Sequence, residues 1–229
     1  MTELPIKLGS PRLREAISNF SEYKYCIKAV HYLSVSNPGK CIDIFSTCMN
    51  RVTERIFNKT TRSDISTLLW HCFKTIQTRN EFDVLIKHKP IQSAGGRHPI
   101  DIIYISRNDN LWECFLYDDH AHALCLLDTS QEAVASFVHE ISLILDPQAG
   151  DIIWFISQDM KTSTKYTHSE SLIWRDAGVA LGHMALIAEA LDLNFCPLGI
   201  SGEQEIKELL NIPPHLSAVG GCIIGKRGA

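Results

Sequence analysis

The stretch at residues 93–106 reads SAGGRHPIDIIYIS, and it decides how the middle of this chain folds. Its first four residues, Ser93 to Gly96, carry few side-chain atoms, so backbone N–H groups and one hydroxyl can approach a flat ligand closely. A plain turn explains these four residues equally well. The β-branched and aromatic run from Asp101 to Ser106 then predicts a buried strand. We therefore expect a tight loop that leads directly into a sheet.

The segments after this loop extend the sheet. Further strands are predicted at Leu111 to Tyr117, Ala121 to Leu127, Asp151 to Ser157 and Ala218 to Ile224, and helices at about Gln131 to Leu145, Ser171 to Leu191 and residues 203–210. The strands come in groups between helices, which favours an α+β fold with a mainly antiparallel sheet. The helix at 171–191 is apolar on more than one face, as central helices and subunit-interface helices are.

The residues before the loop show helical spacing. Ser63 is predicted to cap a clear amphipathic helix, and a second apolar set of helical spacing runs from Ile42 to Val52. The stretch from Leu13 to about Leu33 carries a looser helical pattern. We accordingly divide the chain into an N-terminal helical segment at 1–40, a candidate docking segment for a partner protein, and a main domain at 41–229.

Composition narrows the class of protein. The chain has 229 residues, 45% of them hydrophobic, which suffices for one sizeable core. A net charge of −4 argues against nucleic acid or an anionic membrane as the main partner. The sequence shows no secretory leader and no apolar run long enough to span a bilayer, so we expect a cytoplasmic protein. The eight cysteines lack CxxC spacing and are interpreted as reduced core residues.

Two cationic segments suit a phosphate. Arg51, Thr53 and Arg55 occupy every second position, so in an extended chain two guanidiniums and a hydroxyl point the same way. The alternative is a solvated helix end, where Arg51 and Arg55 are neighbours at i and i+4. Near the C-terminus, Lys226 and Arg227 follow a glycine-rich run whose spacing superficially fits a nucleotide P-loop. Arg227 stands where that loop needs a hydroxyl, so we retain only the cationic pair.

Two further segments carry titratable side chains. Lys165-Tyr166 lies in a polar stretch before the long helix, where an ammonium could favour the phenolate form of the tyrosine as a base. A surface loop is the plainer interpretation of this pair. His120 and His122 could hold a metal, but with no third ligand nearby the sequence favours a hairpin tip. We therefore predict no metal site.

Taken in order, these segments resemble the nitroreductase superfamily, and within it the azoline dehydrogenases of the streptolysin and microcin type. The resemblance spans residues 51–225 and rests on Arg51 to Phe57, Ser93 to Pro99, Asp176-Ala177-Gly178 with Gly182-His183, Pro197-Leu198-Gly199, and Val219 to Gly225. The chain departs from the usual pattern at Val52 and Thr53, which replace Arg and Ser, and at Arg97, which replaces an apolar residue.

The resemblance implies an intertwined homodimer that holds flavin mononucleotide (FMN) between its subunits, with the helix at 171–191 as the dimer core. Arg51, Thr53 and Arg55 would bind the FMN phosphate and ribityl chain, and Lys226 or Arg227 would close over the phosphate. One edge of the isoalloxazine ring would lie along Ser93, Ala94, Gly95 and Gly96. Leu198 and Gly199 would approach the face of the ring.

The same resemblance implies a reaction, because azoline dehydrogenases carry a Lys–Tyr pair where Lys165-Tyr166 stands. Tyr166, assisted by Lys165, would remove a proton from a thiazoline or oxazoline ring of a ribosomally made peptide, as a hydride passes to flavin N5. Oxygen would reoxidise the flavin, and a cyclodehydratase and a leader-peptide-binding protein would be partners. Two alternatives remain: an NAD(P)H-dependent nitro or quinone reductase, and a non-catalytic partner that uses the fold within a complex.

Overall fold

A computed structural model describes residues 8–18, 20–35, 42–81 and 84–228. Its helices are α1 (Ile44–Asn50), α2 (Arg62–Phe73), α3 (Gln131–Ser142), α4 (Asp159–Ser163), α5 (Glu170–Ala190) and α6 (Glu203–Leu210), with one 3-10 turn at Ala94–Gly96. Its strands are β1 (Arg12–Leu13), β2 (Ile27–Tyr32), β3 (Gln77–Glu81), β4 (Val84–His88), β5 (Ile100–Asn108), β6 (Leu111–Asp118), β7 (Ala123–Leu127), β8 (Asp151–Gln158), β9 (Tyr166–Thr167), β10 (Leu193–Pro197) and β11 (Leu216–Lys226).

A seven-stranded sheet in the order β10-β11-β8-β5-β6-β7-β2 forms the centre of the molecule. Each neighbouring pair of strands in this sheet is antiparallel. The predicted α+β fold with an antiparallel central sheet is therefore confirmed. Two small two-stranded sheets, β1-β9 and β3-β4, lie outside it.

Helices cover both faces of the sheet. Along β8, Ile153 and Phe155 pack in a hydrophobic cluster with α2 and α5, whereas Ile152 and Trp154 pack in a second cluster with α3 and α6. Every residue of β8 is buried. This double coverage explains why the strand reads as a continuous apolar run rather than as an alternating one.

Helix α2 begins one residue before the predicted cap. Thr61 accepts a hydrogen bond from the Asp64 N–H, and the Asp64 carboxylate accepts one from the Thr61 N–H. This reciprocal capping box satisfies two N–H groups that a helix start otherwise leaves unpaired. The predicted helix is thus confirmed, with Thr61 rather than Ser63 as its cap.

The helix predicted between Leu13 and Leu33 is wrong. In the described ranges 8–18 and 20–35 the regular elements are two strands, of which β1 pairs with β9 and β2 with β7. From Lys28 to Tyr32, β2 alternates exposed and half-buried residues, as expected for an edge strand with one face against the core. Pairing with the edge of β7 outweighs a weak helical periodicity. The docking role of residues 1–40 stays a prediction, and residues 1–7, 19 and 36–41 lie outside the description.

The described cysteines are free thiols, and Cys72, Cys114, Cys125, Cys196 and Cys222 are buried. This agrees with their interpretation as reduced core residues, while Cys41 lies outside the described ranges. No helix within the described part of the chain combines the length and the apolar character needed to cross a membrane.

Candidate active site

The 3-10 turn at Ala94–Gly96 joins the β3–β4 hairpin to β5, at one end of the central sheet. Gly95 and Gly96 have φ angles of 60° and 66°. These values lie in the left-handed region, which glycine adopts without the steric cost that a Cβ brings. The two glycines are therefore required by the path of this loop.

Asp176 of α5 anchors the loop. Its carboxylate accepts hydrogen bonds from the Ser93 hydroxyl at 2.5 Å and from the Ala94 N–H at 3.1 Å. The Ser93 hydroxyl oxygen also accepts a bond from the His98 N–H at 2.9 Å. Burial raises the pKa of Asp176, whereas the bonds from Ser93 and Ala94 oppose that rise by favouring the carboxylate. The sequence contained Asp176 in a family motif but assigned no role to it.

Lys165 and Tyr166 pack directly against this loop. The Lys165 ammonium donates to the Gly95 carbonyl oxygen at 3.2 Å and lies 5.8 Å from the centre of the Tyr166 ring. A side chain at Gly95 would collide with the Tyr166 hydroxyl and the Lys165 ammonium. The fold thus brings together a loop and a titratable pair that are far apart in sequence.

Arg97 fixes the segment that carries the pair. This side chain is 7% exposed and donates to the Lys161 carbonyl oxygen at 2.5 Å and to the Thr164 hydroxyl at 2.9 Å. Burial lowers the pKa of Arg97, but arginine keeps its charge at any physiological pH. Arg97 departs from the usual family pattern, and its buried contacts with the end of α4 place Lys165 next to the loop.

Arg51, Thr53 and Arg55 lie in the segment that follows α1 and has no regular secondary structure. The Arg51 guanidinium reaches the Thr53 hydroxyl at 3.5 Å, while Thr53 and Arg55 are exposed. Their segment ends at Asn58, which forms a β-bridge with Lys226. The phosphate-binding role of these three residues stays a prediction.

Lys226 and Arg227 both have acidic partners. The Lys226 ammonium lies 3.3 Å from the Asp64 carboxylate, and the Arg227 guanidinium pairs with Glu189 near the end of α5. The bridge at Asn58 brings Lys226 alongside the segment of Arg51 to Arg55. That Lys226 or Arg227 binds a phosphate together with Arg51, Thr53 and Arg55 stays a prediction.

Leu198 and Gly199 follow β10. Leu198 is buried, and its N–H donates to the Gly221 carbonyl oxygen at 2.9 Å. Gly199 is exposed, and a Cβ there would meet nothing within 4 Å. This segment therefore offers an open stretch of backbone next to β11.

Two sets of predicted flavin ligands, the loop at 93–96 and Arg227, contact α5 at different positions. The loop at 93–96 contacts Asp176, whereas Arg227 contacts Glu189. These two acidic residues lie more than three helical turns apart, which corresponds to about 20 Å along the helix axis. Within one chain, the loop and the C-terminal cations are therefore well separated.

His122 is buried and contacts two hydroxyl groups. Its ring lies 3.0 Å from the Ser66 hydroxyl and 2.8 Å from the Tyr117 hydroxyl, and the residue is 3% exposed. Burial, followed by the nearby charge of Lys74, lowers the pKa of His122 to about 4. A neutral imidazole that bridges two hydroxyls stabilises the β6–β7 turn.

Several solved structures have a fold similar to that of this protein. A similar crystal structure, from Ralstonia eutropha JMP134 and described as a nitroreductase, has a TM-score of 0.65 at 13% identity, over 91% of this chain and 97% of that one. The E. coli microcin synthetase McbBCD complex, with truncated pro-MccB17 bound, matches with a TM-score of 0.59 at 17% identity, over 86% and 78%. An oxidoreductase containing FMN matches with a TM-score of 0.53 at 17% identity, over 83% and 79%.

At these identities the structural matches show a shared fold and no more. Among curated proteins, none matches the sequence. A family model described as the Nitroreductase family matches residues 49–226. Since that range covers most of the chain, this protein belongs to the Nitroreductase family.

Proposed function

We propose that this protein is an FMN-dependent dehydrogenase that oxidises thiazoline or oxazoline rings in a ribosomally made, modified peptide. Members of the Nitroreductase family are FMN-dependent oxidoreductases. The observation that carries the finer proposal is the contact of Lys165 and Tyr166 with the loop at 93–96. The McbBCD complex, which has the same fold in one of its chains, binds a peptide precursor and so supports a peptide substrate.

The described residues fit FMN. Arg51, Thr53 and Arg55 offer forked cationic donors and a hydroxyl for the phosphate and ribityl chain, and either Lys226 or Arg227 would add a further cation. The loop at 93–96 has no bulky side chain and would lie along the ring edge, while Leu198-Gly199 leaves space beside the ring face.

A homodimer is part of this proposal, and the separation of these two groups within one chain supports it. The contacts of the loop and of Arg227 with α5 lie about 20 Å apart along the helix axis. One complete site would then combine the loop of one copy with the cations of its partner. Exposed apolar side chains on α1, where Phe45 is 78% and Met49 85% exposed, support such an interface.

Bound FMN would supply the acceptor for the hydride that leaves the substrate ring. The residues of this chain would remove the proton and position the reacting groups. Tyr166 takes the ring proton on its phenolic oxygen, and Lys165, held by the Gly95 carbonyl, places its ammonium beside the Tyr166 ring. Arg97 holds the preceding segment in place, so that both side chains keep their position against the loop.

The test uses Tyr166→Phe, Lys165→Met and the double alanine variant in a reconstituted azoline oxidation assay. Tyr166→Phe keeps the ring that packs on Gly95 and removes only the hydroxyl. We expect oxidation to fall by about 100-fold or more, with an unchanged flavin absorbance per protein. Tyr32→Phe, an exposed tyrosine on the edge strand, is the matched control. If the double variant oxidised azolines at the wild-type rate, the proposal would be wrong.

The same purified protein can distinguish the proposed function from the two alternative functions. Rapid bleaching of the flavin by NADPH under anaerobic conditions would identify a nitro or quinone reductase instead. A protein that stays colourless after FMN is added would identify a non-catalytic partner in a complex.

A further inference from the structure

Residues 9–14, the N-terminal strap, lie along the segment that carries Lys165 and Tyr166. Strand β1 of the strap pairs antiparallel with β9, and Leu13 lies opposite Tyr166. This two-stranded sheet is separate from the central sheet of the molecule. The proposed catalytic pair is therefore in contact with a part of the chain that is far away in sequence.

Arg14 makes two hydrogen bonds to the main chain of this segment. Its backbone N–H donates to the Lys165 carbonyl oxygen at 2.9 Å, and its side-chain Nε donates to the Ser163 carbonyl oxygen at 2.6 Å. Ser163 is the last residue of α4. The last carbonyl groups of a helix have no partner within the helix, so Arg14 supplies the donor that Ser163 lacks. One residue of the strap thus fixes the main chain directly before Tyr166.

Two further contacts hold the strap against the residues that follow Tyr166. The Thr167 hydroxyl donates to the Arg12 carbonyl oxygen at 3.4 Å, and the backbone of Gly9 packs on the ring of His168. A Cβ at Gly9 would lie 2.5 Å from Cγ and 2.9 Å from Cβ of His168. Since rotation of the ring leaves the His168 Cβ in place, it would not relieve this clash. Glycine is therefore what allows the strap to approach so closely.

The chain after the strap continues over the same part of the molecule. The Arg97 guanidinium lies 5.4 Å from the centre of the Phe20 ring, which is a favourable distance for a cation–π contact. The Lys161 ammonium of α4 lies 3.7 Å from the Glu22 carboxylate. Arg97 in turn donates to the Lys161 carbonyl oxygen. The N-terminal residues and Arg97 therefore hold α4 and the residues after it together.

The segment that the strap contacts has little regular structure of its own. Helix α4 has five residues, and β9 has two. Within the described part of the chain, the one strand that pairs with β9 is β1. Elements this short are not stable by themselves, because too few hydrogen bonds offset the loss of backbone entropy. The position of Lys165 and Tyr166 therefore depends on contacts with other parts of the chain.

We propose that the N-terminal strap positions Lys165 and Tyr166 for proton removal, and that Arg14 is the positioning residue of the strap. The proposal rests on the proposed function, because it assigns the strap to the reaction of that site. Arg14 acts through the main chain of Ser163 and Lys165. Proton removal depends steeply on where the base stands relative to the substrate. Loss of the Arg14 side-chain bond should therefore slow the reaction and leave substrate binding nearly unchanged.

The experiment compares Arg14→Met with Arg14→Gln in the full protein, using the reconstituted azoline oxidation assay. The glutamine amide nitrogen stands as many bonds from Cα as the arginine Nε, so it keeps the donor to Ser163, whereas methionine keeps the length without a donor. We expect Arg14→Met to lower kcat about tenfold and to leave KM within about twofold, because a displaced base costs rate rather than affinity. Arg14→Gln should stay close to the wild type. Arg107→Met, at an exposed arginine near the end of β5, is the matched control.

Amide hydrogen exchange of residues 163–167 in the same variants gives a second measurement that does not depend on the reaction. We expect faster exchange there in Arg14→Met, and wild-type exchange in Arg14→Gln and in Tyr166→Phe, because only Arg14→Met frees the main chain. Wild-type kcat in Arg14→Met, or an equal loss of rate in Arg14→Gln, would overturn the positioning role and leave the proposed function intact. A wild-type protein that oxidises no azoline would overturn the proposed function, whereas faster exchange in Arg14→Met would still support the strap.

Discussion

Replacement of Asp176 by alanine should release the loop at 93–96 from α5. In the wild type this one carboxylate binds the Ser93 hydroxyl and the Ala94 N–H, and Ser93 in turn accepts the His98 N–H. Alanine leaves two donors without an acceptor in a site where Asp176 itself is 7% exposed. The loop would then lose the contact that orders it against the long helix.

The size of the effect follows from these bonds. Hydrogen bonds to a charged group contribute about 1.5–3 kcal/mol each. Part of that gain offsets the cost of burying the carboxylate, which is also why burial raises the pKa of Asp176. We therefore expect Asp176→Ala to lower the free energy of unfolding by about 2–4 kcal/mol. Asp176→Asn keeps one oxygen acceptor and avoids the burial of a charge, so its loss should be about half as large.

Urea denaturation followed by circular dichroism measures both variants. Asp128→Ala is the control, because it removes an exposed ion pair with Lys28 that should contribute less than about 1 kcal/mol. A further expectation, tied to the proposed function, is weaker FMN binding by Asp176→Ala than by Asp128→Ala. If Asp176→Ala and Asp128→Ala unfolded at the same urea concentration, the anchoring role of this carboxylate would be refuted.

Two other substitutions probe the loop and the polar core. Gly95→Ala should lower stability by about 1–3 kcal/mol, because φ is 60° there and a Cβ meets Tyr166; a thermal unfolding midpoint equal to that of the wild type would contradict this. His122 has a folded pKa of about 4, below its unfolded 6.5, so its stabilisation is complete above pH 6.5 and is lost as the pH falls towards 4. His122→Asn should therefore lie closest to the wild type in stability at pH 4 and differ most, by about 2–3 kcal/mol, at pH 7. Urea titrations across this range that give a constant difference would show that the imidazole does not titrate in this way.

Much of the regular structure after residue 40 follows from local patterns. Apolar spacing placed α2, α3, α5 and α6, and β-branched runs placed β5, β6, β7, β8 and β11, each within a few residues of its observed bounds. These elements carry strong periodicity because each buries a defined face. Where β2 lies, the sequence pattern wrongly predicted a helix, and no pattern identified the β3–β4 hairpin. β3 reads QTRNE, which is polar throughout and therefore gives no alternation signal.

The candidate site, like the fold, could be predicted from the sequence only in part. Motif order identified Lys165, Tyr166 and the loop at 93–96, yet nothing local showed that the ammonium of Lys165 meets the Gly95 carbonyl. The roles of Asp176 and Arg97 were missed because each acts through a partner distant in sequence. The individual flavin contacts of Arg51, Thr53, Arg55, Lys226 and Arg227 stay predictions.

The sequence by itself determined the class of fold, the glycine loop and the set of cations, because backbone freedom, side-chain charge and hydrophobic periodicity are properties of short segments. Only the tertiary structure decided that Asp176 and Arg97 hold the loop and the Lys165–Tyr166 pair together. It alone also revealed the contacts of the N-terminal strap with the segment of Lys165 and Tyr166. Which distant segments meet depends on strand order and helix packing, and these are fixed by how the buried faces fit together across the whole chain.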